Sequence, residues 1–186
     1  MGTLDDLFRR LEHLNDVGAS LSNERDLNRL LEKIVLAAKS ITRADGGTLY
    51  LLSEDKRHLH FEIVRTDSLN IAFGGTSGNP VSGKFPDLPL YHEDGSPNDT
   101  MIAAYAAISG ETVNIADAYV AKGFDFSGTR KFDERTGYRS QSFLTVPMRN
   151  HEGEIIGVLQ LINAQMPKHD VVVPFSEADQ RLAESL

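Results

Sequence analysis

His58 and His60 stand two apart in a run that alternates apolar and polar residues, so both imidazoles fall on one face of a strand. Such a pair can begin a divalent metal site, but no third ligand lies at a suggestive distance, and a solvated strand face explains the pair equally well. The sequence has no cysteine, which removes disulfides, thiolate metal sites, cysteine nucleophiles and thioether-linked chromophores together. No serine sits in a Gly-x-Ser-x-Gly elbow with a recognisable base. Nor does Gly-Lys-Ser/Thr follow the glycine run at Gly74–Gly78, so a nucleotide-triphosphate loop is absent. The 27 acidic residues are scattered, and nominating a carboxylate pair for acid/base work would require assuming a contact in the fold. The expectation is a protein that is not an enzyme through these residues. Gln160 carries more information, because it interrupts Ile156, Val158 and Ile162 on one face of a run that is apolar on both faces. A buried amide left unpaired costs about 1–3 kcal/mol, so either neighbouring backbone or a polar ligand must satisfy it.

The elements that must position these residues can be read along the chain. Leu4, Leu7, Leu11 and Leu14 repeat at 3-4-3 spacing with Phe8 beside them, the seam of a first helix. That seam either covers the protein's own core or pairs with a second copy. A turn is expected around Gly18 to Glu24. Asp26 can cap a second helix running to about Arg43, whose broad apolar face (Leu27, Leu30, Leu31, Ile34, Val35, Ala38, Ile41) belongs against a sheet. Gly46-Gly47 is read as the break, and Thr48–Leu52 as a buried strand. Leu59, Phe61 and Ile63 alternate with polar residues and pair with it as a hairpin.

Residues 67–100 are rich in Gly, Pro, Ser, Asn and Asp; a loop this long is either a functional lid or a tolerated insertion. A short helix over Met101–Ile108 follows, ended by Gly110, then a short strand around Val113 and Ile115. Residues 117–135 read as a loop with one helical turn at 130–134. The stretch Asp133–Asn163 then gives a polar segment followed by two apolar runs joined at Glu152-Gly153, an antiparallel hairpin. A last helix, capped at Ser176, carries Phe175, Ala178, Leu182, Ala183 and Leu186 on one face and is still in register at the final residue. That implies continuation into a further domain.

With 40% hydrophobic and 25% charged residues, 186 residues suffice for one core without staples. A net charge of -8 argues against nucleic-acid or anionic-membrane partners, which require clustered Lys and Arg. No signal-peptide pattern and no apolar run of about 18 residues occurs, so a cytoplasmic chain is expected.

The arrangement resembles a GAF domain, and more specifically the cyclic-nucleotide-binding GAF domains of phosphodiesterases and adenylyl cyclases. Its most specific part is Asp133-x-x-Thr136-Gly137-Tyr138-Arg139-Ser140, followed by Val146-Pro147, Ile156-Gly157-Val158 and Leu161-x-Asn163. The resemblance implies an α+β fold, an α/β/α sandwich: a central antiparallel sheet with the N- and C-terminal helices on one face and a lid of loops and short helices on the other. It implies a helix/linker at 1–22 with a possible dimer contact, a GAF domain at 23–175, and a helix at 176–186 leading to an output domain. It implies no cofactor, a small-molecule ligand (cAMP or cGMP), and a homodimer that signals through its terminal helices. The ligand residues it implies are Asp133, Thr136 and Ser140 on the lid, Ile102 and Ala103 at the helix start facing the cyclic phosphate, and Gln160 on the floor. Thr48 and Phe73, the latter stacking on the base, are weaker matches. The family's Asn-Lys...Phe-x-x-x-Asp-Glu pattern stands here as Asn163-Ala164...Phe175-x-x-x-Asp179-Gln180, so its Lys–Asp ion pair is lost. The alternative implied is a ligand-free dimerisation module. Sulfoxide reductase or bilin chemistry of the GAF type would need cysteines.

Overall fold

The computed structural model describes residues 2–186, with side chains from Leu4 onward. The first helix, α1 (Gly2–Asn23), runs straight through Gly18 and breaks only at 24–26. The turn expected at Gly18 therefore does not form; a single glycine costs only about 1 kcal/mol in a helix. In α2 (Leu27–Thr42), Asp26 accepts the Arg29 N–H at the N-terminus, and Arg43 closes the other end in the left-handed region at φ 58°. The helix is thus over before Gly46-Gly47. Both glycines lie inside β1 (Ala44–Leu52), and a Cβ on Gly47 would come within 2.9 Å of Val35 Cγ1. The absent side chain of Gly47 lets α2 lie close on the strand, whereas Gly46 faces Ile162 and Thr66.

The remaining strands are β2 (His58–Thr66), β3 (Ile71–Phe73), β4 (Leu88–Pro89), β5 (Val113–Ile115), β6 (Phe143–Arg149), β7 (Ile155–Gln165) and β8 (Val172–Val173). They form one antiparallel sheet in the order β3-β2-β1-β7-β6-β5, with β4 against β2 and β8 against β7. Two further helices, α3 (Ile102–Ser109) and α4 (Ser127–Thr136), sit on the lid side, and α5 (Glu177–Glu184) packs on α2. The α+β sandwich expected from the sequence is present. Within it, α4 is ten residues long where one turn was expected, and β3 and β4 lie inside the long loop. Among the described residues, no helix is long and apolar enough to cross a membrane.

Two apolar layers hold the sheet. Leu31, Val35 and Ala38 of α2, with Phe175 and Ala183, close on Leu49, Leu144, Leu159 and Leu161. On the other face Tyr50, Leu59 and Val158 meet Ala103, Ala104 and Ala106 of α3, whose small side chains allow close approach. The pairing of β1 with β2 slips between Leu49 and Tyr50, so Glu62 is an extra residue in β2. This bulge sends Leu59 and Phe61 to the lid layer and Ile63 to the helix layer, splitting a set that simple alternation puts on one face.

The lost lysine is replaced from elsewhere. The Arg10 guanidinium of α1 bonds the Asp179 carboxylate at the first turn of α5, and Asp179 also accepts the Ser176 N–H at 2.7 Å in a reciprocal capping box. Arg43 pairs with Asp6, one turn before Arg10. Asp6's carboxyl is held below its ordinary range chiefly by the hydrogen bond from Arg43. Helix α1 is therefore fastened to both α2 and α5 by charge.

Candidate functional site

A cavity of about 140 Å³ lies between the sheet and the lid. Its floor is Tyr50, Phe61, Phe143 and Gln160; its rim is Met101, Ile102 and Ala103; its cover includes Asp125, Phe126 and Thr129. Wider surface grooves of about 450 and 550 Å³ run on the helix side, one beside the end of α5 and one beside Lys39 and Arg43. The site belongs on the lid side, where unsatisfied backbone donors meet a half-buried amide.

Those donors come from α3. Its first helical bond runs from Tyr105 N–H to Met101 C=O, and Met101 offers no side-chain cap, so Ile102, Ala103 and Ala104 have no intrahelical acceptor. A helix start of this kind favours an anion. The cavity's lining includes one carboxylate, Asp125, held low chiefly by the Ser127 N–H, and no cationic side chain. An anionic ligand group is thus left to the backbone N–H groups. Gln160 is opposed by Thr48 on β1 and Thr145 on β6, and its Oε1 accepts from Tyr50 Oη at 3.4 Å, a long contact. Burial pushes the Tyr50 phenol above its ordinary range, so it remains a donor.

The structure gathers Ile102, Ala103 and Gln160 at the cavity, with Thr48 buried next to Gln160. The other expected ligand residues lie off it. Phe73 meets Phe85 edge-on at 5.4 Å; Phe85 stacks on Phe61 at 5.0 Å, and Phe61 reaches Tyr50 at 4.6 Å. Phe61 thus supplies the aromatic wall of the cavity, two rings inward from Phe73. The Asp133 carboxylate accepts Ser140 N–H at 2.9 Å, Ser140 Oγ–H at 2.8 Å and the Tyr119 hydroxyl. Asp133 and Ser140 are therefore committed to each other, and the Tyr119 phenol is raised chiefly by its bond to Asp133. Thr136 Oγ1 donates to Phe132 C=O at the exposed end of α4. These three residues fix how α4 hands over to β6. Asn163 completes that turn: its Oδ1 accepts from Gln141 N–H at 2.7 Å and its Nδ2 donates to Arg139 C=O at 2.7 Å.

Sequence reasoning missed Tyr50 and Phe61 and left Phe126 undecided among Phe124, Phe126 and Phe132. The bulge concealed the facing of Phe61. Of the three phenylalanines between residues 117 and 135, Phe126 is buried at the cavity, 5.8 Å from Phe143, while Phe124 packs on Tyr105 and Phe132 on Tyr138. Among the described residues no cluster of three or more His, Asp or Glu could hold a metal. His60 bonds Asp87 at 2.7 Å and His58 lies 4.0 Å from Asp55, so the two histidines have separate partners.

A protein-family model described as "GAF domain" matches residues 26–186. Cyclic-GMP-specific 3',5'-cyclic phosphodiesterases of Drosophila virilis and Drosophila sechellia are 27% identical over 173 residues, which is 88% of this chain but 17% and 13% of theirs. The chain thus spans under a fifth of these curated relatives. Among solved structures, the GAF domain of a phosphoenolpyruvate-protein phosphotransferase from Coxiella burnetii superposes with TM-score 0.66 at 15% identity, covering 96% of this chain and 88% of that one. Free methionine-R-sulfoxide reductase from Neisseria meningitidis, in complex with its substrate, gives 0.60 at 16% identity, covering 96% and 86%. Identities this low speak to the fold alone.

Proposed function

The chain belongs to the GAF domain family, and from that membership we propose that it binds a cyclic mononucleotide and passes the binding event to an attached output domain through its terminal helices. One observation carries this reading: the unpaired N–H groups at the start of α3 and the Gln160 amide converge on a single cavity walled by Phe61 and Phe126. The cyclic phosphate would lie at the Ile102–Ala103 backbone, the base between aromatic walls, and its edge toward Gln160 and Thr48. Stacking on an aromatic ring contributes about 1–3 kcal/mol per base. The similarity to cyclic-GMP-specific phosphodiesterases supports this ligand class.

At about 140 Å³ the cavity is smaller than the roughly 300–1,000 Å³ of small-molecule sites, so binding requires α4 and the 117–126 connection to swing outward. Asp133, Thr136 and Ser140 act at the foot of that motion, holding the α4–β6 turn or entering the ligand shell once the cover has moved. A ligand changes the output only through different affinity for two states. Here the Arg10–Asp179 bond joins the two helices that would carry the difference. Isothermal titration with cGMP and cAMP tests the reading. At 100-fold over Kd a ligand stabilises by about 2.7 kcal/mol. For a domain of this size that is a melting shift of about 5–11 °C. No heat and no shift with either nucleotide at millimolar concentration would reject it.

A second reading, a ligand-free dimerisation module, is favoured by one specific observation: Leu4, Phe8 and Leu11 of α1 are 66%, 60% and 41% exposed, an apolar stripe facing away from the domain.

A further inference from the structure

The floor beneath α3 carries a polar group that the sequence pattern did not single out. Thr145 lies in the middle of β6, opposite Val113 on one side and Gln160 on the other. It is fully buried, and its Oγ1 is one of two buried side-chain polar atoms without a partner among the described residues. Directly opposed residues of an antiparallel pair share a face, with Cβ atoms about 4.5–5.5 Å apart. Thr145, Gln160 and Thr48 therefore form a row of three polar side chains across β6, β7 and β1, on the face that carries Phe143 and Tyr50 into the cavity. The apolar residues of β6 that turn the other way, Leu144 and Val146, belong to the helix-side core.

A threonine inside a dry sheet face is an expensive choice where valine has the same shape. An unsatisfied hydroxyl costs about 1–3 kcal/mol, and most buried hydroxyls in native proteins are paired. Gln160 is also under-used: among the described residues its side chain makes one hydrogen bond, the 3.4 Å bond from Tyr50 to its Oε1, which leaves Nε2 without an acceptor there. The neighbouring hydroxyl can donate or accept by rotating.

We propose that Thr145 is a further ligand residue, whose hydroxyl acts with the Gln160 Nε2 donor to hold two adjacent heteroatoms on the edge of the bound base. This rests on the lid-side cavity being a cyclic-nucleotide site. Thr145 does not line the closed cavity; α3 packs across β6 and β7 above it, so the proposal requires α3 to lift from the sheet together with the movement of α4 and the 117–126 connection. A purine offers such a pair on its Hoogsteen edge, N7 with O6 in guanine or N7 with the N6 amino group in adenine. The donor at Gln160 takes the acceptor N7. The hydroxyl then donates to O6 or accepts from the amino group.

The test is Thr145→Val and Thr145→Ser in the whole 186-residue chain, with cGMP and cAMP as probes and two readouts: melting temperature without nucleotide, and Kd. The proposal expects Thr145→Val to melt at or above the wild-type temperature, since it removes a hydroxyl with no protein partner. It expects Kd for the preferred nucleotide to weaken by roughly 3- to 10-fold, the worth of one neutral hydrogen bond. Thr145→Ser keeps the hydroxyl and is expected to bind within about 2-fold of wild type; it also serves if the valine variant does not fold. Wild-type affinity in Thr145→Val overturns the proposal. So does a valine variant that melts well below wild type while binding normally, because the hydroxyl then has a purely structural partner. If the wild-type chain binds neither nucleotide, the cavity reading itself fails, and that result is distinct from a variant that leaves binding untouched.

Discussion

Replacing Arg10 with Met keeps most of the side chain's apolar stem and removes its guanidinium. In the folded protein the two charges are 13% and 9% exposed, so little water screens their attraction. Removing one partner of a buried pair typically costs about 3–5 kcal/mol, because the other charge is left uncompensated. Two features reduce that figure here. Asp179 keeps the Ser176 N–H, and Arg10 Nε has no partner among the described residues, so the wild-type pair already carries an unsatisfied donor. A loss of about 2–3 kcal/mol is the resulting expectation, equivalent to a melting decrease of about 4–12 °C at about 2–4 °C per kcal/mol. Differential scanning calorimetry of the wild type, Arg10→Met, Asp179→Asn and the double variant measures both the loss and the coupling. The coupling energy should exceed about 1 kcal/mol. Hydrogen exchange should show α1 losing protection ahead of α2. A melting change under 1 °C, or additive single effects, would refute the claim that α1 supplies the cation missing after Asn163.

Acid should act through a second charged pair. Arg65 bonds Glu32 at 2.6 Å, and Thr76 Oγ1 donates to the same carboxylate at 2.7 Å. Burial, the largest single influence on Glu32, raises its pKa, but the bonds from Thr76 and Arg65 together outweigh it and leave the pKa below the ordinary 4.5. A depressed carboxylate stabilises the fold above its unfolded pKa, and that stabilisation is lost as pH falls through the folded value. Glu32→Gln should therefore cost about 1–3 kcal/mol at pH 7 in urea unfolding and become indistinguishable from wild type in acid; a constant difference from pH 7 to pH 3 would contradict the assignment. For the exposed stripe on α1, Phe8→Asp with Leu11→Asp should convert a dimer into a folded monomer in sedimentation, and a wild-type monomer at high concentration would remove the dimer from consideration. Leu7 is a poorer target for that test, because it is half-buried.

Residue spacing was enough for the order of the principal elements and most of the inner faces, though not for the short strands β3, β4 and β8. Period 3.6 in α2 and period 2 in β6 and β7 report which side chains must leave water, and that requirement is local enough to read from spacing. Asp26 and Ser176 announced their helices because a cap acts within three residues. Only the tertiary structure could decide matters that depend on partners distant in the chain. The bulge at Glu62 turns Ile63 away from Phe61 because β1 sets the register, and nothing in β2 alone records it. The α1 leucines split because α1 docks through charge: the bonds of Asp6 and Arg10 to Arg43 and Asp179 set its rotation, leaving Leu4, Phe8 and Leu11 outward while Leu7 and Leu14 are half-buried. Ala164 read as the loss of an ion pair, yet Asp179 found its cation 169 residues earlier in the chain. Thr145 was invisible for the same reason: whether a hydroxyl is orphaned depends on what packs over it, here a helix some forty residues away in sequence.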